Sequence, residues 1–286
     1  MQIPHRDGDG YRADISVHAG GRLRPASRPG LVRNFLLISA LALCLIRAAD
    51  ALGAPDEIQV YTEEMNDPGK FGLEQHLNYT IRGTQTPDYP GQMVSHHATQ
   101  ITPELSYGIT RNLEAGLYLP FAFTPNGEAF LNGLRLRLKY IAPRQADAAY
   151  FYGMNVEIGR NSLRISESKS AMEFRPIIGY HDSKWRVSFN PILNMALAAN
   201  VSRQPQFKPA LKLTHSAGEG VHVGLEYYGE YGPLNHILPG NQRGHTLYAV
   251  VDVEAHGLDF NFGIGRGFVN AADAWVVKGI IALPFE

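Results

Sequence analysis

Cysteine is almost absent: Cys44 is the one cysteine in 286 residues. An intramolecular disulfide framework and a cysteine-rich metal site are therefore excluded. Net charge is lacking too, since 26 Lys and Arg stand against 27 Asp and Glu, a formal balance of −1. A duplex-binding protein carries a strongly basic surface, so nucleic acid is not an expected partner. Disorder is excluded by composition, because 44% of the residues are hydrophobic and only 19% charged. The apolar run Phe35 to Ile46 has about 12 residues, too few to span a bilayer as a helix.

That run has the length of a signal-peptide core. Arg33 supplies a short positive flank before it, and Ala49-Asp50-Ala51 follows as a small-residue cleavage site. Residues 31–51 are thus expected to be a signal peptide, with a mature chain starting near Leu52. A buried helix is the alternative. Residues 1–30, rich in Gly, Arg and Pro, precede a complete signal and are expected to be a dispensable extension or a misassigned start. Lipoprotein processing at Cys44 is disfavoured by the bulky Leu43 before it. The expected mature chain has no cysteine, which suits an oxidising periplasm.

From Phe71 on, hydrophobicity alternates with period two. One set holds Phe71, Leu73, Leu77, Tyr79 and Ile81, with Glu74, His76, Asn78 and Thr80 opposite. The same rhythm runs over 113–123, 129–141, 150–160, 185–197, 221–230 and 258–268. Weaker candidates lie at 98–107, 171–180, 206–214 and 246–255, and the chain ends on "WVVKGIIALPFE". Strict alternation argues for strands with one apolar face, about twelve in all. Pro176, Pro191 and Pro209 fall inside candidate strands, where each removes a ladder hydrogen bond, so local irregularity is expected there.

The connections alternate in length. "RGTQTPDYPGQMVSHH", "TPNGE", "NSLRISESKS", "AANVSRQP", "YGPLNHILPGNQRG" and "VNAAD" are mostly long or polar; "GITRN", "HDSK", "HSAGEG" and "AHG" between them are shorter. Long loops on one side and short turns on the other characterise a bacterial transmembrane barrel, not a Greek-key sandwich. Aromatics at strand ends (Phe71, Tyr79, Tyr140, Tyr180, Trp185, Tyr227, Trp275) suit two membrane interfaces. The expectation is an all-β, single antiparallel up-and-down transmembrane barrel over residues 71–286, in the bacterial outer membrane. Its last strand pairs with its first, because an open edge in lipid leaves backbone groups unsatisfied.

Two stretches carry resemblances. The C-terminus resembles the assembly signal of bacterial outer-membrane barrels, which implies the barrel-assembly machinery as a partner; it departs in placing Phe285 penultimate and Glu286 last. "TPELSYGITRNLEAGLYLPFAF", Thr102 to Phe123, resembles the hairpin of the outer-membrane barrel family associated with meta-pathway phenol degradation: a Pro, an apolar strand, Tyr-Gly-Ile-Thr, a polar turn and a strand ending in Leu-Pro. That resemblance implies passage of small, often hydrophobic or aromatic compounds across the outer-membrane lipid. It brings no catalytic residues.

The candidate site is a lumen wall. Arg135, Arg137 and Lys139 share one polar face and would form a basic ladder favouring anionic solutes. Glu114, Glu157, Glu173 and Glu226 take the same inward phase, and cross-strand pairing with them is the structural alternative. His222, Glu226 and Glu230 span too far along a strand for one ion, so no metal and no cofactor is expected. "FGIGRG" at 262–267 lacks the following helix of a phosphate loop. His215 beside Ser216 raises a barrel-wall lipid hydrolase as a rival, without an identifiable third group. The expected function is a channel or passive transporter for a small-molecule solute, not an enzyme; the alternative is a structural or adhesive barrel. Residues 52–70 form an acidic segment with Ile58, Val60 and Met65 interspersed. It is expected to fold into or across the periplasmic mouth as a plug, or else to be a solvated periplasmic tail.

Overall fold

The structure, a computed structural model, describes residues 56–145, 147–198, 201–269 and 273–284. The expected signal peptide, the extension before it, and Phe285 and Glu286 lie outside the described residues. The strands are β1 (Phe71–Arg82), β2 (Thr99–Thr110), β3 (Leu113–Tyr118), β4 (Phe121–Phe123), β5 (Ala129–Leu131), β6 (Gly133–Ile141), β7 (Tyr150–Asn161), β8 (Ser170–His181), β9 (Trp185–Ala196), β10 (Gln206–Gly218), β11 (Val221–Glu230), β12 (Gly244–Ala255), β13 (Leu258–Val269) and β14 (Trp275–Pro284). β3 and β4 are two halves of one strand broken at Leu119-Pro120, where Pro120 has no N–H to give to the ladder. β5 and β6 are likewise halves split at Asn132, whose N–H donates to the Pro120 carbonyl at 2.7 Å. The result is a closed antiparallel barrel of 12 strands.

Closure is direct. β1 pairs with β2 on one side and with β14 on the other, Leu73 opposite Leu283 and Leu77 opposite Gly279. Sequential neighbours pair throughout the rest of the ring. The turns at 111–112, 182–184, 219–220 and 256–257 are tight, and the loops at 83–98, 162–169 and 231–243 are long. Two turns are shorter than the sequence suggests, because β2 runs on to Thr110 and β10 to Gly218; His215 and Ser216 therefore belong to a strand end. At 256–257 the reversal needs positive φ at both residues, His256 (54°) and Gly257 (76°), the two-residue hairpin geometry that matches strand twist.

The prolines behave as barrel irregularities. Pro209 is opposite Pro191 in the β9–β10 register. The β8–β9 register, carried from Phe174–Leu193 to Ile178–Phe189, sets Pro176 opposite Pro191, and the ladder is interrupted there. Three adjacent strands thus give up donors along one transverse row.

Burial is inverted relative to a soluble domain. Leu77, Leu105, Leu134, Leu136, Leu138, Ile158, Ile178, Leu211, Leu213, Leu225, Ile264 and Val277 are exposed, Leu136 to 54%. His76, Gln100, Glu104, Arg137, Asn155, Glu157, Arg175, Asn190, Lys212, Glu226 and Lys278 are buried. An apolar band this extensive on the outside of a closed barrel is unstable in water and stable in lipid. Two aromatic groups bracket it. Phe71 and Tyr107 (4.7 Å between ring centres), Tyr150 and Tyr180 (5.2 Å) and Trp185 and His215 (4.4 Å) meet at the short-turn end. Arg266 lies over Phe268 and Trp275, and Tyr79 meets His97, at the long-loop end. This is an outer-membrane barrel with its interface rings in place.

Candidate functional site

The lumen wall is built by the inward half of each strand's alternation, and its charges find partners within reach. Arg137 Nη2 lies 2.6 Å from Glu104 Oε1 and 2.7 Å from Glu114 Oε1. Arg135 lies 3.8 Å from Glu157, and Arg175 Nε donates to Glu173 Oε1 at 2.8 Å. Across the barrel, Lys212 bridges Glu226 (3.5 Å) and Asp252 (2.8 Å), while Lys278 pairs with Glu226. All seven expected lumen residues (Arg135, Arg137, Lys139, Glu114, Glu157, Glu173, Glu226) take the inward phase. Six of them meet along the β3–β6–β7–β8 wall, and Glu226 belongs to the separate lysine cluster opposite.

Residues 56–66 run against the inner wall of the barrel. The chain leaves β1 at the short-turn end, where the Gly69 N–H donates to Gly108 O at 2.7 Å and the Gly108 N–H to Lys70 O at 3.0 Å. A Cβ at Gly108 would come within 2.3 Å of Asp67 O, and one at Gly72 within 2.5 Å of the Asn66 side chain. Only glycine lets the segment pass so near the wall. Above that point Asn66 Nδ2 donates to Ser106 Oγ (2.7 Å) and Glu114 Oε2 (2.8 Å). Lys139 Nζ donates to Glu64 O at 2.6 Å, and Lys278 Nζ to Ile58 O at 3.0 Å.

Four of the five acidic residues of the segment meet a basic group of the wall or a turn. Asp56 is 2.9 Å from Arg135, and Glu57 is 3.4 Å from Arg175 and 3.7 Å from Arg135. Glu63 meets His181 (2.9 Å) and Arg144 (3.8 Å); Glu64 meets Arg186 at 2.6 Å. Its apolar residues fill wall pockets: Ile58 against Tyr248, Val250 and Val276, and Val60 against Ile192 and Ala210.

Tyr61 is the centre of this packing. Its N–H donates to Asn190 Oδ1 (2.7 Å), and its carbonyl accepts from Ser188 Oγ (2.5 Å) and Asn190 Nδ2 (3.1 Å). The ring is faced by Arg175 at 4.2 Å, Lys139 at 5.1 Å and Arg137 at 5.6 Å. Its hydroxyl hydrogen-bonds to Tyr118 and donates to Glu157 Oε1 at 3.2 Å. Cations over an aromatic face gain more when desolvated, as here. Below Tyr61 a cavity of about 550 Å³ remains, lined by Glu74, Glu114, Lys139, Lys212, Asp252 and Asn66 among others.

Tyr61, Tyr118, Glu104, Arg175, Lys212 and Lys278 are site residues that the sequence reading did not single out. His222 and Glu230 share the inward phase of Glu226, but Glu230 pairs with Lys208 at 3.9 Å. Ser216 Oγ donates to Gly218 O at 3.3 Å and the His215 ring packs on Trp185, which gives that pair local structural partners.

Outside the membrane the loops are pinned by carboxylates. Asp182 accepts from the Lys184 and Trp185 N–H groups, both at 2.8 Å; these bonds hold its carboxyl below the usual range. Asp273 accepts from Ser95 Oγ, and burial pushes its carboxyl up.

No protein-family model matches the chain, and no curated protein matches it. Solved structures do. The COG4313 outer membrane channel from Pseudomonas putida F1 is 15% identical with a TM-score of 0.53, over 80% of this chain and 100% of that one. The NanC porin is 10% identical with a TM-score of 0.52, over 75% of this chain and 99% of that one. At these identities the likeness is one of fold, and the fold shared is that of the outer-membrane barrel.

Proposed function

We propose that the protein is an outer-membrane channel for small anionic or aromatic solutes, closed at rest by residues 56–67 acting as a plug. The observation that carries this reading is the placement of Tyr61 and the acidic residues around it. The segment sets an aromatic ring among Arg137, Lys139 and Arg175, and carboxylates on Arg135 and Arg175. These are the chemical groups of an aromatic acid, held by the wall as a ligand would be. The barrel size suits such a role, since twelve strands lie between the filled interior of eight and the open channel of sixteen. The fold shared with the channel and porin above, and the resemblance of residues 102–123 to the phenol-pathway barrels, point the same way.

The test is to delete residues 55–67, keep the leader, and record the barrel in planar bilayers. Conductance should rise, and reversal potentials should shift towards anion selectivity. Unchanged conductance in an assembled barrel would remove the plug. A barrel that stays silent with the segment deleted would favour a structural or adhesive role, with the long loops as the working surface. Liposome swelling with benzoate, neutral aromatics and sugars then sorts the solute class.

A further inference from the structure

On the lumenal side of β1 and β2, antiparallel register brings Glu74, His76 and Glu104 together. Glu74 is directly opposite Glu104, and His76 opposite Thr102. His76 is fully buried, and neither ring nitrogen makes a hydrogen bond. Its Nε2 lies 3.5 Å from Glu104 Oε2 and 3.9 Å from Glu74 Oε2. Both are longer than a well-formed N–H···O bond of about 2.7–3.2 Å. One donor atom from each of the three residues lies within 4.8 Å of the others.

A zinc-class ion holds nitrogen and oxygen ligands at about 2.0–2.2 Å, which separates tetrahedral ligand atoms by about 3.4 Å. The imidazole–carboxylate spacings here are close to that edge. They contrast with the pair next to them, where Arg137 closes to 2.6 Å on Glu104 Oε1. Arg137 thus takes one oxygen of Glu104 and orients the other towards His76, as outer partners of metal-binding carboxylates do. Glu74 lines the lumenal cavity, so the cluster is reached from that side.

We propose that Glu74, His76 and Glu104 form a lumenal site for one divalent transition-metal ion of the zinc class. The imidazole nitrogen favours such an ion over magnesium or calcium, which prefer oxygen alone. The site is independent of the transport reading. From the segment, Gln59 Nε2 donates to Glu74 Oε2 at 3.0 Å, so an ion bound at Glu74 shares that oxygen with the segment.

The full chain, purified in detergent and stripped with chelator, is titrated with Co²⁺ and Zn²⁺. One equivalent should bind, with Co²⁺ giving the visible bands of a low-coordinate nitrogen–oxygen site. His76→Asn and Glu74→Gln should each weaken binding by more than about tenfold, while His96→Ala with His97→Ala should not. Glu74→Gln leaves the Glu104–Arg137 pair intact, so it serves if His76→Asn fails to assemble. X-ray absorption of the zinc-loaded wild type should show one imidazole and oxygen neighbours. Absence of saturable binding, binding undiminished in both Glu74→Gln and His76→Asn, or a spectrum with several imidazoles would each overturn the site.

Discussion

Tyr61 offers the sharpest perturbation, because two substitutions separate what its hydroxyl does from what its ring does. Tyr61→Phe removes the bonds to Tyr118 and to Glu157 Oε1. Glu157 keeps the Asn155 amide at 2.9 Å, so the loss should be about 1–2 kcal/mol. Tyr61→Ala also removes a buried ring and three cation–π contacts. Large-to-small changes of this kind cost about 3–5 kcal/mol. The backbone bonds to Ser188 and Asn190 survive both changes. At about 1.4 kcal/mol per decade, the undocked population should rise on the order of tenfold for Phe and a hundredfold or more for Ala. Glutamate-specific proteolysis reads that population when docking is fast relative to cleavage. The assay is the rate of cutting after Glu63 and Glu64, followed by mass spectrometry on the assembled barrel. Equal rates in wild type, Tyr61→Phe and Tyr61→Ala would refute the idea that this side chain holds the segment.

Three further outcomes are expected. Leu136→Arg, on the lipid face, should cost about 2–4 kcal/mol near mid-bilayer, measured by denaturant-dependent folding into vesicles; no loss would mean that the assigned face is wrong. Arg137→Gln strands Glu104 and Glu114, which are buried beside it, and should destabilise the barrel by about 3–5 kcal/mol; the same assay checks it, with Arg137→Lys as the partial rescue. Asp273 has a folded pKa raised by burial, so folding takes up a proton there. The buried charge should cost the packing of the 83–98 loop less as pH falls through that raised value, with the gain complete below the ordinary aspartate value, although the Ser95 bond, which favours the ionised carboxyl, weakens. Hydrogen exchange of the loop amides should show this trend in wild type and a flat profile in Asp273→Asn.

The strands were legible because lipid and lumen impose opposite chemistries on alternate residues. A single phase error in 113–123 or 129–141 would have turned Leu117 and Leu136 inward. The alternation of long and short connections was equally plain. The segment's path was not, because Tyr61 finds its partners 57 to 129 positions away and no local pattern encodes a contact of that span. Arg175 and Glu104 were hidden differently. Both lie on strands whose periodicity is weakened by a proline, Pro176 and Pro103, although the same inward phase would have found them. The strand break at Pro120 is marked in the sequence only by the "YLPF" run, because the flanking apolar residues keep their alternation across it.

On the proposed reading, the charges of the lumen make closure and selectivity one mechanism. Residues 56–67 carry Asp56, Glu57, Glu63, Glu64 and Asp67 and no basic residue. Four of those carboxylates meet Arg135, Arg175, Arg144, His181 or Arg186. The wall's own acids are already committed: Glu104 and Glu114 to Arg137, and Glu226 to Lys212 and Lys278. Withdrawal of the segment removes the Asp56 and Glu57 carboxylates from Arg135 and Arg175, which keep Glu157 (3.8 Å) and Glu173 (2.8 Å) on the wall, so these two arginines become the positions where a solute anion can replace a carboxylate. A free anion competes with a tethered one whose effective concentration is in the millimolar range. Solutes at similar concentrations outside the cell can then occupy the same arginines and hold the segment off. On the proposed reading, the groups that close the channel also define what opens it.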